Sequence, residues 1–501
     1  MEARDPRRWL ILVVLCLSTL VLVVDNMVLA VAIPALAADL GATAQDTQWI
    51  LDSYILVFAG LLLTAGSLSD RFGRRRVMVV GLVLFGAASV AAAHAADPAQ
   101  LIVARTVMGV GGALIMPSTL SILITVFHDD ERRKAMAAWS AVAMLGLVGG
   151  PVLGGVLIAW FWWGAVFLIN VPIAVLAIVA ALVLMPESKG PWSKPDPLGA
   201  ILSVVGMTAL VWTIIELPAH GLTHPSTLTT LLLAAAALAT FVVWELRTSH
   251  PMVPLALFRD RTFSGGSLSL TLVQIGNGGL LLVLTQYLQF VLGYTPTQAG
   301  LAFIPMAVAS LTFNTLGAAL GARIGNRAMI VTGLAVMAAG FALLATLGPA
   351  DGLLVCVLAL FVLGAGGGTA MPAAVSALMG RVPAAHAGVG SALNDTIQQM
   401  GAALGIAVLG SVLSGTYAAA LPASASGRAR LSIGDALALG DPGIARAARD
   451  AFTTAMSSAF VISAAGVLAA AALAFFVLRD RPAGTAPTGM PGAEHAGAPV
   501  S

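Results

Sequence analysis

The chain has 501 residues, 59% of them hydrophobic and only 10% charged, with a net charge of +2 and a mean hydropathy of +0.96. Soluble domains carry roughly 25% charged residues, so a folded surface this apolar is excluded from water and must be covered by lipid. The small net charge gives no basis for a nucleic-acid partner, and none is expected.

The first apolar run begins near Trp9, after Arg4, Arg7 and Arg8, as a secretory leader would. It continues to Pro34 without a small-residue cleavage site, so it reads as a membrane span. A helix crossing a bilayer needs about 20 mostly apolar residues. That length predicts spans near 9–34, 47–67, 76–94, 98–120, 135–158, 164–185, 197–217, 226–246, 263–292, 298–321, 328–348, 352–380, 387–413 and 453–478. Backbone in lipid must pair its own amides, so the expected fold is an all-α integral membrane protein of fourteen transmembrane helices. Basic residues stay on the cytoplasmic side during insertion. Placing both termini there leaves Arg105 inside a span, Arg428, Arg430, Arg446 and Arg449 outside, and the other 20 of the 25 Lys and Arg inside. The expectation is a multi-pass protein of the cell inner (cytoplasmic) membrane.

The spans group into an N-terminal six-helix bundle (1–186), a linker with two additional spans (187–246), a C-terminal six-helix bundle (247–480) and a disordered cytoplasmic tail (481–501). The connections PESKGPWSKPDP and RTSHPMVPLALFRDR are rich in proline and charge, as links between domains are. The second also carries Met252, Val253, Leu255, Leu257 and Phe258, a set suited to lying along the inner membrane surface. LSDRFGRR (68–75) and LGARIGNR (320–327) share Leu, Arg, Gly and Arg at matching positions, each after an even-numbered span, as duplicated halves would. Cys16 and Cys356 sit in apolar runs without metal-ligand spacing and read as packing residues.

GSLSDRFGRRR (66–76) is a tight basic turn in which Gly66 and Gly73 let the chain bend. Asp70 can pair with arginines or cap a helix, while Arg71, Arg74, Arg75 and Arg76 can grip a neighbouring helix end. Two readings fit: an ordinary positive-inside loop, or a gate that latches the two bundles on the cytoplasmic side. In GLVGGPVLGG (146–155), Gly146, Gly150 and Gly154 recur every four residues and make one flat stripe for close helix packing. Pro151 removes a backbone donor and can kink the helix there.

A charge at the centre of a membrane helix costs on the order of 2.5–3.5 kcal/mol, so it has a task or a partner. Asp25 falls late in span one, Asp52 early in span two and Arg105 early in span four, all in the outer half of the membrane. They are expected to form a coupled proton-handling network; the alternatives are a permanent Arg105–aspartate pair and, for Asp52, solvation near Trp49. Asp395 lies roughly 14 Å into span thirteen at 1.5 Å per residue, where a lone carboxylate suits a lipophilic cation. The alternative there is a protonated acid bonded to Asn394, Gln398 or a backbone carbonyl. Gln274, Asn277 and Gln289 of span nine are further candidates to line a binding cavity. Glu216 and Glu245, at span ends, are expected to be solvated, and Trp160, Trp162 and Trp163 to mark a membrane boundary.

These segments carry a resemblance. The turn is similar to the signature G-x-L-a-D-r-x-G-r-k-x of the major facilitator superfamily at Gly66, Leu68, Asp70, Arg71, Gly73, Arg74 and Arg75. The glycine stripe resembles the G-x-x-x-G-P-x-x-G-G antiporter motif of drug exporters at Gly146, Gly150, Pro151, Gly154 and Gly155. VDNMVLAVAIP (24–34) is similar to the L-D-x-T-I-V-N-V-A-L-P signature of fourteen-helix drug:proton antiporters, keeping Asp25 and Pro34 but carrying Met27 and Ala30 where Thr and Asn are usual. LIVARTVMGVGGA (101–113) resembles the l-x-x-x-R-x-x-q-G-x-g motif at Arg105, Gly109 and Gly111, with Met108 in place of Gln. WILDSY (49–54) and the stretch around Asp395 resemble quaternary-ammonium and biocide efflux pumps, which have acids at both places.

The resemblance implies the major facilitator fold, two six-helix bundles with two additional central helices. It implies export of lipophilic, cationic compounds by alternating access, driven by the proton gradient with no other cofactor and no metal. A monomer is expected. The rival readings are an exporter of one antibiotic, siderophore or metabolite and, more remotely, a polytopic membrane enzyme or lipid-handling scaffold, for which no nucleotide loop, metal cluster or base-paired nucleophile is present in the sequence.

Overall fold

The computed structural model describes residues 7–127, 129–189, 196–249, 251, 253, 255–349, 353–379, 387–423 and 425–477. The sequence-predicted tail, and Lys194, Met252, Arg381, Arg479 and Arg481, lie outside the described residues. Among the described residues every regular element is helical. The first half comprises α1 (Arg8–Leu40), α2 (Ala44–Phe72), α3 (Arg74–Ala93), α4 (Pro98–Val126), α5 (Asp129–Trp160), and the sixth crossing in two pieces, α6 (Ala165–Leu168) and α7 (Asn170–Leu184). The central pair is α8 (Pro197–His220) and α9 (Pro225–Arg247). The second half runs through α10 (Arg261–Gln286), α11 (Pro296–Ala302) with α12 (Ile304–Ile324), α13 (Asn326–Ala345), α14 (Leu353–Met379), α15 (Ala387–Ala420), the short α16 (Ile433–Ala438) and α17 (Pro442–Val477). Counting the split helices as single crossings, thirteen are long and apolar enough to cross a membrane. α5, whose apolar stretch Gly149–Trp160 is shorter among the described residues, completes the series of fourteen. The protein is a multi-pass membrane protein.

Several predicted boundaries move. Pro34 does not end α1; the helix continues to Leu40 and stops at Gly41, whose φ of 62° is the left-handed cap that glycine favours. Membrane helices tolerate internal proline because neighbours take over the freed backbone groups, and α4, α5, α8 and α14 each contain one as well. Asp25 therefore sits near the middle of α1 rather than late in it. The stretch 414–452 is largely helical: α15 runs on to Ala420, a 3-10 turn spans Arg428–Arg430, α16 follows, and α17 starts at Pro442. Apolar windows find only the part of a helix at membrane depth, so polar extensions escape them. The second linker also behaves differently: Val253 is buried and Leu255 and Leu257 pack on the core of the second half, with the Phe258 ring 5.0 Å from Phe263.

The two halves repeat one packing scheme. In the first, α3 packs on α4 and α7, α2 on α4, and α1 on α5 and α7; in the second, α13 packs on α14 and α17, α12 on α14, and α10 on α15 and α17. The turn resemblance noted above falls at equivalent points of this scheme. Gly73 between α2 and α3 and Gly325 between α12 and α13 both adopt positive φ, 115° and 97°. Each half has its own apolar core. They meet where α5 touches α11, α15 touches α2 and α1 touches α10. α8 lies along the α2–α15 seam, with Val204 over Gly60 and Ser411 Oγ donating to Ile214 O at 2.7 Å.

Candidate functional site

The basic turn is held within the first half. Arg74 donates to Asp70 Oδ1 at 2.8 and 2.9 Å and to Ser121 O of α4 at 3.2 Å. Arg75 Nη1 donates to Met185 O at the end of α7 at 2.8 Å, and the Arg75 backbone N–H donates to Glu187 Oε1 at 3.1 Å. Glu187 also faces the side chains of Arg75 at 3.7 Å and Arg76 at 3.5 Å. The Arg71 guanidinium lies 5.1 Å from the Phe72 ring, and Gly66 faces Pro117 of α4. We name this end of the molecule the basic end.

Deeper in the first half, three helices converge on Asp25. Arg105 Nη1 of α4 donates to Asp25 Oδ2 at 2.5 Å, and Asn170 Nδ2 of α7 donates to Asp25 Oδ1 at 2.7 Å. Arg105 Nε donates to Ile50 O at 3.2 Å, and its guanidinium sits 4.4 Å from the Tyr54 ring. Asp25 is 1% exposed and both Arg105 and Asn170 are fully buried. A cation on a desolvated aromatic face gains about 2 kcal/mol, and removing one partner of a buried ion pair costs about 3–5 kcal/mol. The network is therefore strongly interdependent. Asn170 and Tyr54 were not singled out from sequence; nothing in a lone amide at the start of a span distinguishes it from a polar boundary residue.

Asp52 stands apart. Arg105 pairs with Asp25, while both carboxylate oxygens of the fully buried Asp52 lack a hydrogen-bond partner among the described residues. Solvation near Trp49 does not describe it, because α8 covers this side: Trp49 packs on Trp212 with ring centroids 5.2 Å apart. Arg105 Nη2 and Asn170 Oδ1 are likewise buried without partners. Three groups of the first half thus hold unused hydrogen-bonding capacity around the ion pair and beside it.

In the second half, Asp395 on α15 is half-buried, and its Oδ1 accepts from Asn394 Nδ2 at 3.1 Å. The next residue, Thr396, directs its hydroxyl to Ala59 O at 3.5 Å, at the midpoint of α2. Asp395 thus lies level with the middle of α2, beside the seam between halves. Gln398 is half-buried on the same helix, and Gln274 and Asn277 are half-buried on α10, with Gln274 Cβ close to Gly401 of α15. Gln289 instead spans the halves, donating to Val31 O at 3.0 Å.

The glycine motif of α5 has two faces. A methyl group at Gly146 would lie 2.9 Å from Val23, one at Gly154 2.9 Å from Val28 O, and one at Gly150 would overlap Met27. The stripe thus seats α1, the helix that carries Asp25. Pro151 and Gly155 face the other way, onto α11: Gly300 packs on Pro151 O, and Thr297 Oγ1 donates to Gly155 O at 2.9 Å. The end groups expected to be solvated are engaged: Glu245 is buried and accepts from Val253 N at 3.0 Å, and Glu216 pairs with His220 at 2.7 Å and accepts from Gln45. Both lie on the α8–α9 pair itself, and Gln45 of α2 and Val253 of the second linker reach them from parts of the chain that a linear sequence does not place beside them. Of the boundary tryptophans, Trp160 and Trp162 are exposed, but Trp163 is buried and donates to Asp39 at 2.6 Å.

Comparison with known proteins gives these features a context. The Major Facilitator Superfamily model matches residues 15–406 and 267–499. The multidrug efflux pump LfrA of Mycolicibacterium smegmatis is 36% identical over 486 residues, covering 94% of this chain and 96% of that protein. The tetracenomycin C resistance and export protein of Streptomyces glaucescens is 32% identical, covering 97% and 94% of the two chains. The methyl viologen resistance protein SmvA of Salmonella typhimurium is 34% identical, covering 90% and 95%. Among solved structures, a bacterial homologue of the human lysosomal transporter Spinster shares the fold with a TM-score of 0.69 at 18% identity, covering 96% of this chain and 100% of that one. The chain belongs to the major facilitator superfamily and is a membrane transporter rather than an enzyme.

Proposed function

We propose that this transporter exports lipophilic, cationic drugs and biocides in exchange for protons, with the basic end and both termini in the cytoplasm of the cell that carries it in its inner membrane. The observation that carries this reading is the contrast between a closed ion network around Asp25 and a lone, half-buried carboxylate at Asp395 beside the seam. Relatives of similar length named for multidrug efflux, export and methyl viologen resistance support it.

In this scheme the bundles 1–186 and 247–480 rock against each other, while 187–246 rides on the seam beside α2 and α15. A proton arriving at Asp25 neutralises the partner of Arg105 and loosens α1 from α4. Because α1 rests on the glycine stripe of α5 and α5 touches α11, that change reaches the contact between halves. Asp52 can take a proton without breaking an existing hydrogen bond and acts as the second carrier. Asp395 holds the cation, with Asn394, Gln398, Gln274 and Asn277 around it. Gly66, Asp70, Arg71, Gly73, Arg74 and Arg75 stiffen the cytoplasmic gate. One proton moving down 100 mV supplies about 2.3 kcal/mol, so coupling to more than one sustains a steep drug gradient.

Everted vesicles loaded by an imposed pH gradient test the scheme with ethidium. Wild type accumulates the dye in a manner abolished by an uncoupler. Asp25→Asn abolishes gradient-driven uptake, and Asp395→Asn weakens transport of dications more than of monocations. Gradient-driven uptake that is unchanged in Asp25→Asn removes that residue from coupling, and equal loss for neutral and charged substrates in Asp395→Asn removes its charge from recognition.

A further inference from the structure

The sixth crossing is interrupted where it meets Asp25. Pro172 has no N–H to offer the carbonyl one turn before it, and α6 accordingly ends at Leu168, with α7 resuming at Asn170. Asn170 is fully buried, and the two polar atoms of its side chain are used unequally. Nδ2 donates to Asp25 Oδ1 at 2.7 Å and lies 3.4 Å from Ser89 Oγ of α3. Oδ1 is buried without a hydrogen-bond partner among the described residues.

The unused oxygen gains its meaning from what surrounds Asp25. An ionised carboxylate only accepts hydrogen bonds, a protonated one must also donate, and a guanidinium can never accept. Arg105 of α4 holds Asp25 Oδ2 at 2.5 Å, and Tyr54 of α2 presents its ring to that guanidinium at 4.4 Å. α5 seats Val23, Met27 and Val28 on glycines, and α10 reaches α1 through the neutral Gln289, at Val31. Asn26, next along α1, donates to Leu22 O of its own helix at 2.9 Å. Asn170 Oδ1 is thus the acceptor that stands beside the carboxylate and is unoccupied. Half a revolution of the amide exchanges Oδ1 for Nδ2. It puts the oxygen where the nitrogen now lies, 2.7 Å from Asp25 Oδ1, the usual length of an O–H···O bond.

We propose that Asn170 is a positioning residue that reads the state of Asp25: its amide donates to the carboxylate, and turns to accept from the carboxyl once a proton is bound. This rests on the reading of Asp25 as the coupling acid and adds which contact is kept. The bound proton stays on Asp25, shared in a hydrogen bond with Asn170 Oδ1, and Asn170 itself gains and loses none. The tie between α1 and α7 therefore survives in both states. The contact with Arg105 falls from an ion pair to a hydrogen bond between a cation and a neutral acid, which is weaker. So α4 is the helix that loosens from α1, while α7 moves with it.

Infrared difference spectra of the purified full-length protein in nanodiscs, recorded between alkaline and acidic buffers, test this without a transport assay. Isotopic labelling of asparagine side-chain carbonyls sets their bands apart. The labelled band lost in Asn170→Asp, a change that keeps the shape of the side chain, belongs to Asn170. The carboxyl band lost in unlabelled Asp25→Asn belongs to Asp25; should that variant fold poorly, Asp25→Glu assigns the band by displacing it. In the wild type the Asn170 band is expected to shift to lower frequency as the Asp25 carboxyl band grows, both with one pH midpoint, because a carbonyl that gains a hydrogen bond is weakened. In Asp25→Glu the two bands should still move together. An Asn170 band that stays fixed while the Asp25 band titrates makes the amide a permanent donor and overturns the proposal, with Asp25 still the coupling acid. An Asn170 band that responds to pH at a midpoint different from that of Asp25 overturns it too. The lack of any Asp25 carboxyl band down to the acid limit of folding overturns the proposal and the coupling reading together, so the two failures are told apart.

Discussion

The fifth helix of each half, α5 and α15, meets the first helix of that half through glycines spaced four apart. In the first half, Gly146, Gly150 and Gly154 receive Val23, Met27 and Val28 of α1. In the second, Gly401 lies against Thr271 O and Gly405 against Ile275 of α10. Close approach of backbones is what small residues provide inside a membrane, and both halves use it. They part company over charge. The first half answers the acid of α1, Asp25, from α4 and α7, while Asp52 of α2 has no partner among the described residues; the second carries Asp395 on α15 itself, where among the described residues the adjacent Asn394 donates to it. One scaffold thus carries a tightly paired acid in one half and a sparsely partnered one in the other.

The largest effect expected from disturbing this contrast comes from Arg105→Met. It leaves the Asp25 carboxylate buried with Asn170 as its remaining donor, and breaking a buried pair costs about 3–5 kcal/mol. Thermal unfolding in detergent should show a fall of that order. Asp395→Asn, by comparison, removes a charge with no ion-pair partner among the described residues, and its stability should stay within about 0.5 kcal/mol of wild type. Equal destabilisation by the two changes would mean that both acids are structural, and the division of labour between halves would be lost.

The seams themselves should respond unequally. A methyl at Gly150 meets the side chain of Met27, which is flexible and can move aside. A methyl at Gly405 meets the backbone of Ile275, which cannot. Overpacking costs about 1–3 kcal/mol, so Gly405→Ala is expected near the top of that range and Gly150→Ala near the bottom, read from the same unfolding assay. The reverse order would show that the α10–α15 seam is looser than the α1–α5 seam.

How much of this was legible beforehand depends on which distances a sequence encodes. The fourteen crossings and the glycine stripe follow from composition along one helix, and they stand out in the sequence because lipid imposes a strict length and small residues impose a strict spacing. The pairing of Asp25 with Arg105 was anticipated only as one option among three residues, since depth can be counted along a span but azimuth cannot. Asn170 and Tyr54 gave no signal at all. Their roles exist because α1 and α4 bring Asp25 and Arg105 to them from far along the chain. Pro34 misled for a related reason: its local preference to end a helix yields to neighbours that the sequence does not show.

The smallest expected effect separates the two matched turns. Gly73 and Gly325 make the same left-handed bend, yet the groups that follow are held differently. In the first turn, Glu187 collects the Arg75 backbone N–H and the side chains of Arg75 and Arg76. In the second, Asn326 Nδ2 donates to Ser376 at 3.3 Å and the Arg327 guanidinium lies 4.2 Å from the Phe475 ring. Glu187→Gln keeps an acceptor for the backbone N–H and removes only the charge. Because Glu187 and its arginines are partly exposed, screening limits the loss to about 0.2–1 kcal/mol. That loss should be present in dilute buffer and fade towards 1 M salt, where the Debye length shrinks to about 3 Å. Phe475→Leu in the other turn should cost a similar amount, with less dependence on salt since its ring also packs by contact. Were the Glu187→Gln deficit to persist undiminished at high salt, the first turn would owe its hold to the hydrogen bond geometry at Arg75 and not to charge, and the two turns would be chemically alike after all.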